Sequence, residues 1–263
     1  MLEISTMKGF CPLASGSKGN CTYIGTSKAK ILIDAGLGVR SLEERLNLIG
    51  LSFDQIDAII ITHEHADHIK GLGSLLRKRS IPVFANSETA RAMFSLVDEE
   101  IPFQIFSTGE TFEFQGLEIH PFSIQHDTLD PVAFTIKTGS VKLGFCTDLG
   151  YATTLVVRHL QECDYLVLEA NHQPSMVHAC NRPLIYKQRV LGRQGHLSNQ
   201  ECAELIAQVA HAGLKHIHLA HLSSECNSPE LALQIAKEKV EEIGLSSAIS
   251  IAWQEKPSHP IEF

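Results

Sequence analysis

The sequence predicts an α/β protein made of two sheets packed together with helices outside. Three observations carry this expectation. Strand-like apolar runs fall in two clusters, helical patterns fall between them in each half, and polar residues gather where the strands end. No linker, low-complexity tract or repeat divides the 263 residues, so a single domain spanning 1–263 is expected.

In chain order, strands are expected at 30–34, 59–62, 82–85, 111–120, 133–138, 141–147, 165–169, 217–220 and 248–253. Gly139-Ser140 joins the fifth and sixth of these as a hairpin turn. Residues 40–50 and 69–79 read as shorter helices. Ser198 and Glu201 form a capping-box pattern that opens a helix ending near Gly213. Ser228-Pro229-Glu230 supplies a cap, a first-turn proline and a first-turn acid, with Gly244 as the stop.

Hydrophobic residues make up 44% of the chain and charged residues 20%, an ordinary globular composition. No apolar run approaches the ~20 residues of a membrane span, so no membrane partner is expected. No basic segment followed by an apolar stretch opens the chain, and a cytoplasmic protein is expected. The seven cysteines are scattered without a C-x-x-C pair, which argues against both a disulfide framework and a thiolate zinc site.

The formal net charge of −8 disfavours nucleic acid as a partner of the surface as a whole. One strip is different. Between residues 171 and 200 there is no Asp or Glu, while Arg182, Lys187, Arg189 and Arg193 give a charge of +4. Such a strip suits an anionic substrate held locally.

The most informative stretch is 57–72, DAIIITHEHADHIKGL. An apolar strand ends abruptly in His63, Glu64, His65, Asp67 and His68, side chains that offer the nitrogen and oxygen ligands of zinc, manganese and iron. His63 and His65, two apart in extended chain, project to one side, and Asp67 and His68 follow on the next turn. A two-metal hydrolytic site is the reading, with two divalent ions per chain (zinc or manganese, with iron also compatible). Asp34, Asp148 and His221 also stand at strand ends, so they can converge on one rim despite their separation in sequence.

The H-x-H-x-D-H motif of His63, His65, Asp67 and His68 resembles that of metallo-β-lactamase-fold hydrolases, and the likeness extends in order along the chain. It implies a four-layer αββα sandwich. It places Asp34, in Asp34-Ala35-Gly36, in support of the metal loop rather than as a ligand. One metal would be held by His63, His65, His126 and Asp148, and the other by Asp67, His68, His221 and the shared Asp148. Residues 13–20, LASGSKGN, together with Glu169-Ala170-Asn171-His172 and Gly195-His196-Leu197-Ser198-Asn199, resemble the YycJ/WalJ-like group, regarded as DNA exonucleases acting from the 5′ end. The last two motifs also parallel the tRNA 3′-processing ribonucleases.

The resemblance therefore implies a nuclease with DNA rather than RNA as partner. Asp67 would orient or deprotonate the attacking water, and His196 backed by Glu169 would protonate the leaving oxygen. Ser15, Ser17, Asn20, His172, Lys187, Arg189 and Arg193 are the expected substrate contacts, with backbone N–H groups of the 15–20 turn as an anion cradle. The chain is too short for the insert of the β-CASP nucleases, so clamping must come from short loops, a partner, or a second copy in a homo-oligomer. Hydrolysis of a small ester, thioester, lactone or cyclic phosphodiester is the alternative on the same site. The remaining histidines, including His216 and His218 on a half-buried strand, read as structural or surface groups.

Overall fold

The computed structural model describes residues 7–263. They form two compact units. The first runs through Glu118 and adds Thr128–Asp130 and Ala252–Phe263; the second comprises Ile119–Asp127 and Pro131–Ile251. The elements, in chain order, are β1 (Gly9–Ala14), β2 (Cys21–Gly25), β3 (Lys30–Ile33), α1 (Val39–Leu48), β4 (Ala58–Ile60), α2 (Ala66–Ile69), α3 (Leu72–Lys78), β5 (Val83–Asn86), α4 (Ser87–Leu96), β6 (Phe103–Phe106) and β7 (Phe112–Phe114). They continue with β8 (Leu117–Ser123), β9 (Val132–Thr138), β10 (Val141–Cys146), α5 (Thr154–Leu160), β11 (Tyr165–Glu169), α6 (Pro174–Ala179), α7 (Leu184–Val190), α8 (Asn199–Val209), β12 (His216–Ala220), α9 (Pro229–Glu242), β13 (Ala248–Ile251) and β14 (Ile261–Glu262).

The first sheet has the order β14-β1-β2-β3-β4-β5-β6, and the second β13-β12-β11-β10-β9-β8-β7. Both are mixed. In the first, β3, β4, β5 and β6 are parallel, in the register Ile33↔Ile60 and Ile60↔Phe84. Ile31, Leu32, Ile33, Ile59 and Ile60 are fully buried, the continuous apolar signature of strands covered on both faces. Each such side chain contributes about 1.5–3 kcal/mol by leaving water. In the second sheet, β10, β11, β12 and β13 are parallel, with Cys146↔Leu168 and Glu169↔Ala220 in register. Each unit has its own core, around Phe53, Ile59 and Leu72 in the first and around Leu168, Leu205 and Leu219 in the second.

Local chemistry explains the helix ends. Ser198 and Glu201 make the expected reciprocal capping box, and the Ser228 hydroxyl accepts from Leu231 N–H at 3.2 Å. The Gly139-Ser140 turn is present, with Thr138 paired to Val141.

Four departures from expectation have identifiable causes. The 111–120 strand is two strands, β7 and β8, because Gln115 (φ 47°) and Gly116 (φ 85°) both turn left-handed. The 69–79 helix begins only at Leu72, since Ile69 closes α2 and Gly71, packed where a Cβ would lie 1.8 Å from the Leu37 carbonyl oxygen, stands between the two helices. β1 went unanticipated because Pro12 interrupts its strand pattern at a bulge in the pairing with β2. α4 is announced only by its cap, Asn86, whose side-chain oxygen accepts from Thr89 N–H.

Gln115→Asn would supply the Asn-Gly pair that this hairpin geometry favours. It should raise the stability by about 0.5–1 kcal/mol in urea unfolding, as left-handed backbone is costly for Gln.

Candidate functional site

The candidate residues stand at the carboxyl ends of parallel strands, and three of them are backbone outliers. Asp34 follows β3 at φ 63°, Asp148 follows β10 at φ 57°, and His221 follows β12 at φ 55°. Non-glycine residues held left-handed cost about 1–3 kcal/mol each and persist only where their surroundings fix them.

In the first unit the surroundings are a carboxylate hub. Asp34 is 1% exposed. Its Oδ1 accepts from Thr62 N–H at 2.9 Å, the Thr62 hydroxyl lies 3.0 Å from both oxygens, and Oδ2 lies 2.7 Å from His68 Nδ1. Burial pushes the Asp34 carboxyl up, with His68 and Thr62 opposing. The bond to Asp34 assigns the His68 proton to Nδ1 and leaves Nε2 with its lone pair. Asp34 thus braces the loop that carries His63–His68.

The rest of the loop is equally constrained. His63 Nδ1 lies 2.9 Å from the Thr62 hydroxyl, and His63 Nε2 lies 3.2 Å from His65 Nδ1. The Asp67 carbonyl accepts from Asn20 N–H at 2.8 Å, and Gly36 N–H donates to the Asn20 carbonyl at 2.9 Å. Only glycine fits at 36, since a Cβ there would lie 1.8 Å from the Asp67 carbonyl oxygen.

In the second unit Glu169, at the end of β11 and fully buried, is the corresponding hub. Its Oε1 lies 2.9 Å from His196 Nδ1 and 2.8 Å from His221 Nδ1. Its Oε2 accepts from Leu149 N–H at 2.8 Å and Leu197 N–H at 3.0 Å. Burial alone would raise this carboxyl, but the two histidines hold it well below the ordinary carboxylate range. His126 donates Nδ1–H to the Gly195 carbonyl at 3.1 Å, and its Nε2 lies 3.7 Å from Asp148 Oδ1. Asp148 Oδ1 is also 3.2 Å from His221 Nδ1.

Asp148, Glu169, His196 and His221 come close enough to hold an ion. The geometry favours another role for Glu169, because both of its oxygens are already committed to four donors. His68, His126 and His221 each give Nδ1–H to an oxygen and present Nε2, the tautomer that a divalent cation requires. The donor chemistry of both units fits metal binding.

Several expected substrate contacts look different in place. The backbone N–H groups of Ser15, Gly16, Lys18, Gly19 and Asn20 are all engaged, with Trp253, Asn20, Gln254, Gly16 and Asp67 respectively. The 15–20 turn is therefore a buttress and not an open anion cradle; Ser15 is buried and Ser17 exposed. The Asn20 amide points at Asp67 Oδ2 and His68 Nε2, 3.0 Å from each. His172 is 2% exposed, and burial lowers its pKa.

The strip free of acids in sequence is not free of them in space. Arg182 pairs with Glu225 and Arg189 with Asp127. Lys187 reaches the His178 carbonyl, and the Arg193 guanidinium lies 4.3 Å over the Tyr151 ring. Sequence reasoning also missed Thr62, Asn171, whose amide donates to the His221 carbonyl at 2.6 Å, and Asn227, which bridges Ala170, Asn171 and Asn199. Only Asn171 lay within a recognised motif.

Residues 29–219 match the Beta-lactamase superfamily domain. The chain belongs to the β-lactamase superfamily. Its fold, two mixed sheets flanked by helices, is the metallo-β-lactamase class the motifs implied. Within the superfamily it is 38% identical over 238 residues to the exodeoxyribonuclease YycJ of Bacillus anthracis, covering 89% of this chain and 90% of the relative. It is 37% identical over 225 residues to the exodeoxyribonuclease WalJ of Streptococcus pneumoniae, covering 84% and 83%. The metallo-β-lactamase fold protein YhfI of Bacillus subtilis superposes with a TM-score of 0.72 at 15% identity, covering 95% of this chain and 98% of that one. Among the described residues no helix is long and apolar enough to cross a membrane.

Glu169→Gln leaves one side-chain acceptor oxygen where four donors converge. It should cost about 2–4 kcal/mol in urea unfolding and weaken metal affinity roughly 10–100-fold. Because the Glu169 pKa is depressed below its ordinary 4.5, its contribution is complete above that pH and fades as pH falls through the depressed value. The gap between wild type and Glu169→Gln should therefore narrow below about pH 4.5, measured as unfolding midpoints at successive pH values.

Proposed function

We propose that this protein is a metal-dependent phosphodiesterase that removes nucleotides from DNA, working from the 5′ end. The observation that carries the reading is Glu169 clamping His196 and His221 through their Nδ1 atoms, in a chain 38% identical to an exodeoxyribonuclease. Hydrolysis of small esters has no comparable support among these relatives.

Two divalent ions per chain, zinc or manganese with iron also compatible, fit the donor set. His63, His65, His126 and Asp148 would hold one, and Asp67, His68, His221 and the shared Asp148 the other. When bound, they supply Lewis acidity toward the phosphodiester and lower the pKa of the attacking water.

The remaining work falls to the chain's own side chains. The Asn20 amide fixes the Asp67 carboxylate, which accepts the proton of the attacking water. Glu169 orients His196, whose Nε2 delivers a proton to the departing oxygen. Lys187 and Arg193 neutralise neighbouring phosphates, and Arg189 does so by exchanging Asp127 for a phosphate. Surface ion pairs of that kind contribute only about 0–1 kcal/mol, so the exchange is cheap.

Metal-loaded wild type should release nucleotides from 5′-labelled DNA, and Asp148→Ala should lower that rate roughly 10²–10⁴-fold. Equal release by both proteins overturns the reading. Matched RNA and 3′-labelled DNA in the same assay decide sugar and polarity. Binding of single-stranded DNA should weaken with salt, and Arg193→Ala should reduce the log–log slope by about 0.7.

A further inference from the structure

The helical pair α6 and α7 of the second unit leaves two large aliphatic side chains in water. Leu184 and Ile185, in the first turn of α7, are 69% and 74% exposed. Asn181, Arg182 and Pro183 before them are exposed as well. The pair of helices is nevertheless anchored. Tyr186 and Val190, four residues apart on α7, turn the opposite face onto a small cluster with Val177 and Cys226. That contact fixes which face looks outward. Leu184 and Ile185 come first, and Gln188 and Arg189, also exposed, follow one turn or about 5.4 Å along the axis.

The far end of this face reaches the histidine group. Arg189 pairs at 2.5 Å with Asp127, the residue after His126. The Val190 carbonyl accepts the His196 N–H at 3.1 Å, and the Gly195 carbonyl accepts from His126 Nδ1–H at 3.1 Å. α7 is thus a short arm, tied to the site at its carboxyl end and apolar at its tip. The charge along the arm is mixed. Arg182 and Arg189 are matched by Glu225 and Asp127 in exposed pairs, which are weak and exchangeable, and Lys187 reaches the His178 carbonyl. Aliphatic side chains followed one turn later by a cation suit a ligand in which apolar plates alternate with anions, as bases and phosphates do along a DNA strand. Leu and Ile are also among the side chains that proteins insert between base steps.

We propose that Leu184 and Ile185 are a wedge that packs against the bases at a paired DNA end and holds the first step open, with Arg189 on the adjoining phosphate. The inference rests on the nuclease reading above. Aliphatic side chains make no hydrogen bonds to base edges, so the wedge acts on every sequence alike. An end that is already unpaired has no stacked step to open and gains little from it.

The test compares two DNA substrates, one blunt and fully paired, the other with mismatched nucleotides at its 5′ end. The double variant Leu184→Gln, Ile185→Gln keeps good helix formers at two exposed positions. With metal-loaded proteins, the ratio of kcat/KM for the paired end to that for the mismatched end should fall roughly 10-fold from wild type to the variant. A fluorescent adenine analogue that is quenched by stacking, placed second from the paired end, reads the wedge directly. With the terminal linkages blocked as phosphorothioates, its emission should rise on adding wild type and not on adding the variant. An unchanged ratio, or an equal rise with both proteins, overturns the wedge and leaves the nuclease reading standing. Emission that stays quenched with wild type overturns it without reference to how the variant folds. A dimeric wild type whose double variant is monomeric also overturns it, because the pair is then a subunit contact. Hydrolysis of neither substrate by wild type overturns the nuclease reading and the wedge with it.

Discussion

A carboxylate buried among apolar strands is costly unless donors surround it, and this molecule uses two of them as fixed points. Asp34 gathers Thr62 and His68. Glu169 gathers His196, His221 and two backbone N–H groups. Each condition on the hub is a condition on the fold. The donors to Glu169 come from the loop after β10, the loop before α8 and the loop after β12, so the register of three parallel strands must be right before that charge is satisfied. The polar network and the strand packing thus specify one another.

This arrangement separates stiffness from chemistry. The parallel strands, buried on both faces, supply the stiffness, and the loops at their carboxyl ends carry the imidazoles. The hubs sit between the two and hold the rings of His68, His196 and His221 by Nδ1, which leaves their Nε2 atoms facing away from the hubs. Histidines held this way lose little orientational freedom on binding a cation, because the fold has already restricted it.

The fold class and the histidine clusters were legible because both leave periodic or compositional marks: apolar runs that stop at a polar residue, and ligand types crowded into six positions. What resisted reading was pairing at a distance. Asn20 reads as part of a glycine-rich turn, and only the fold shows its amide against Asp67 and His68. The basic strip lost its apparent isolation because Glu225 and Asp127, remote in sequence, meet Arg182 and Arg189. Asn227 carries no local signal at all, although its amide ties the Ala170 and Asn171 carbonyls to the Asn199 side chain. β1 was obscured by Pro12 and the hairpin at Gln115 by a residue type that rarely turns left-handed.

The left-handed backbone at Asp34, Asp148 and His221 sets a limit on how far this protein can be improved as a solid. At each position glycine would relax the main chain, and selection for heat resistance alone would reward that change. The same exchange deletes the side chain that holds the loop or that, in the proposed function, would bind the ion. Under the proposed function, thermal robustness and turnover compete at these three residues, so hardening substitutions have to be sought elsewhere, on the outer helices and hairpins, where shape is the only requirement.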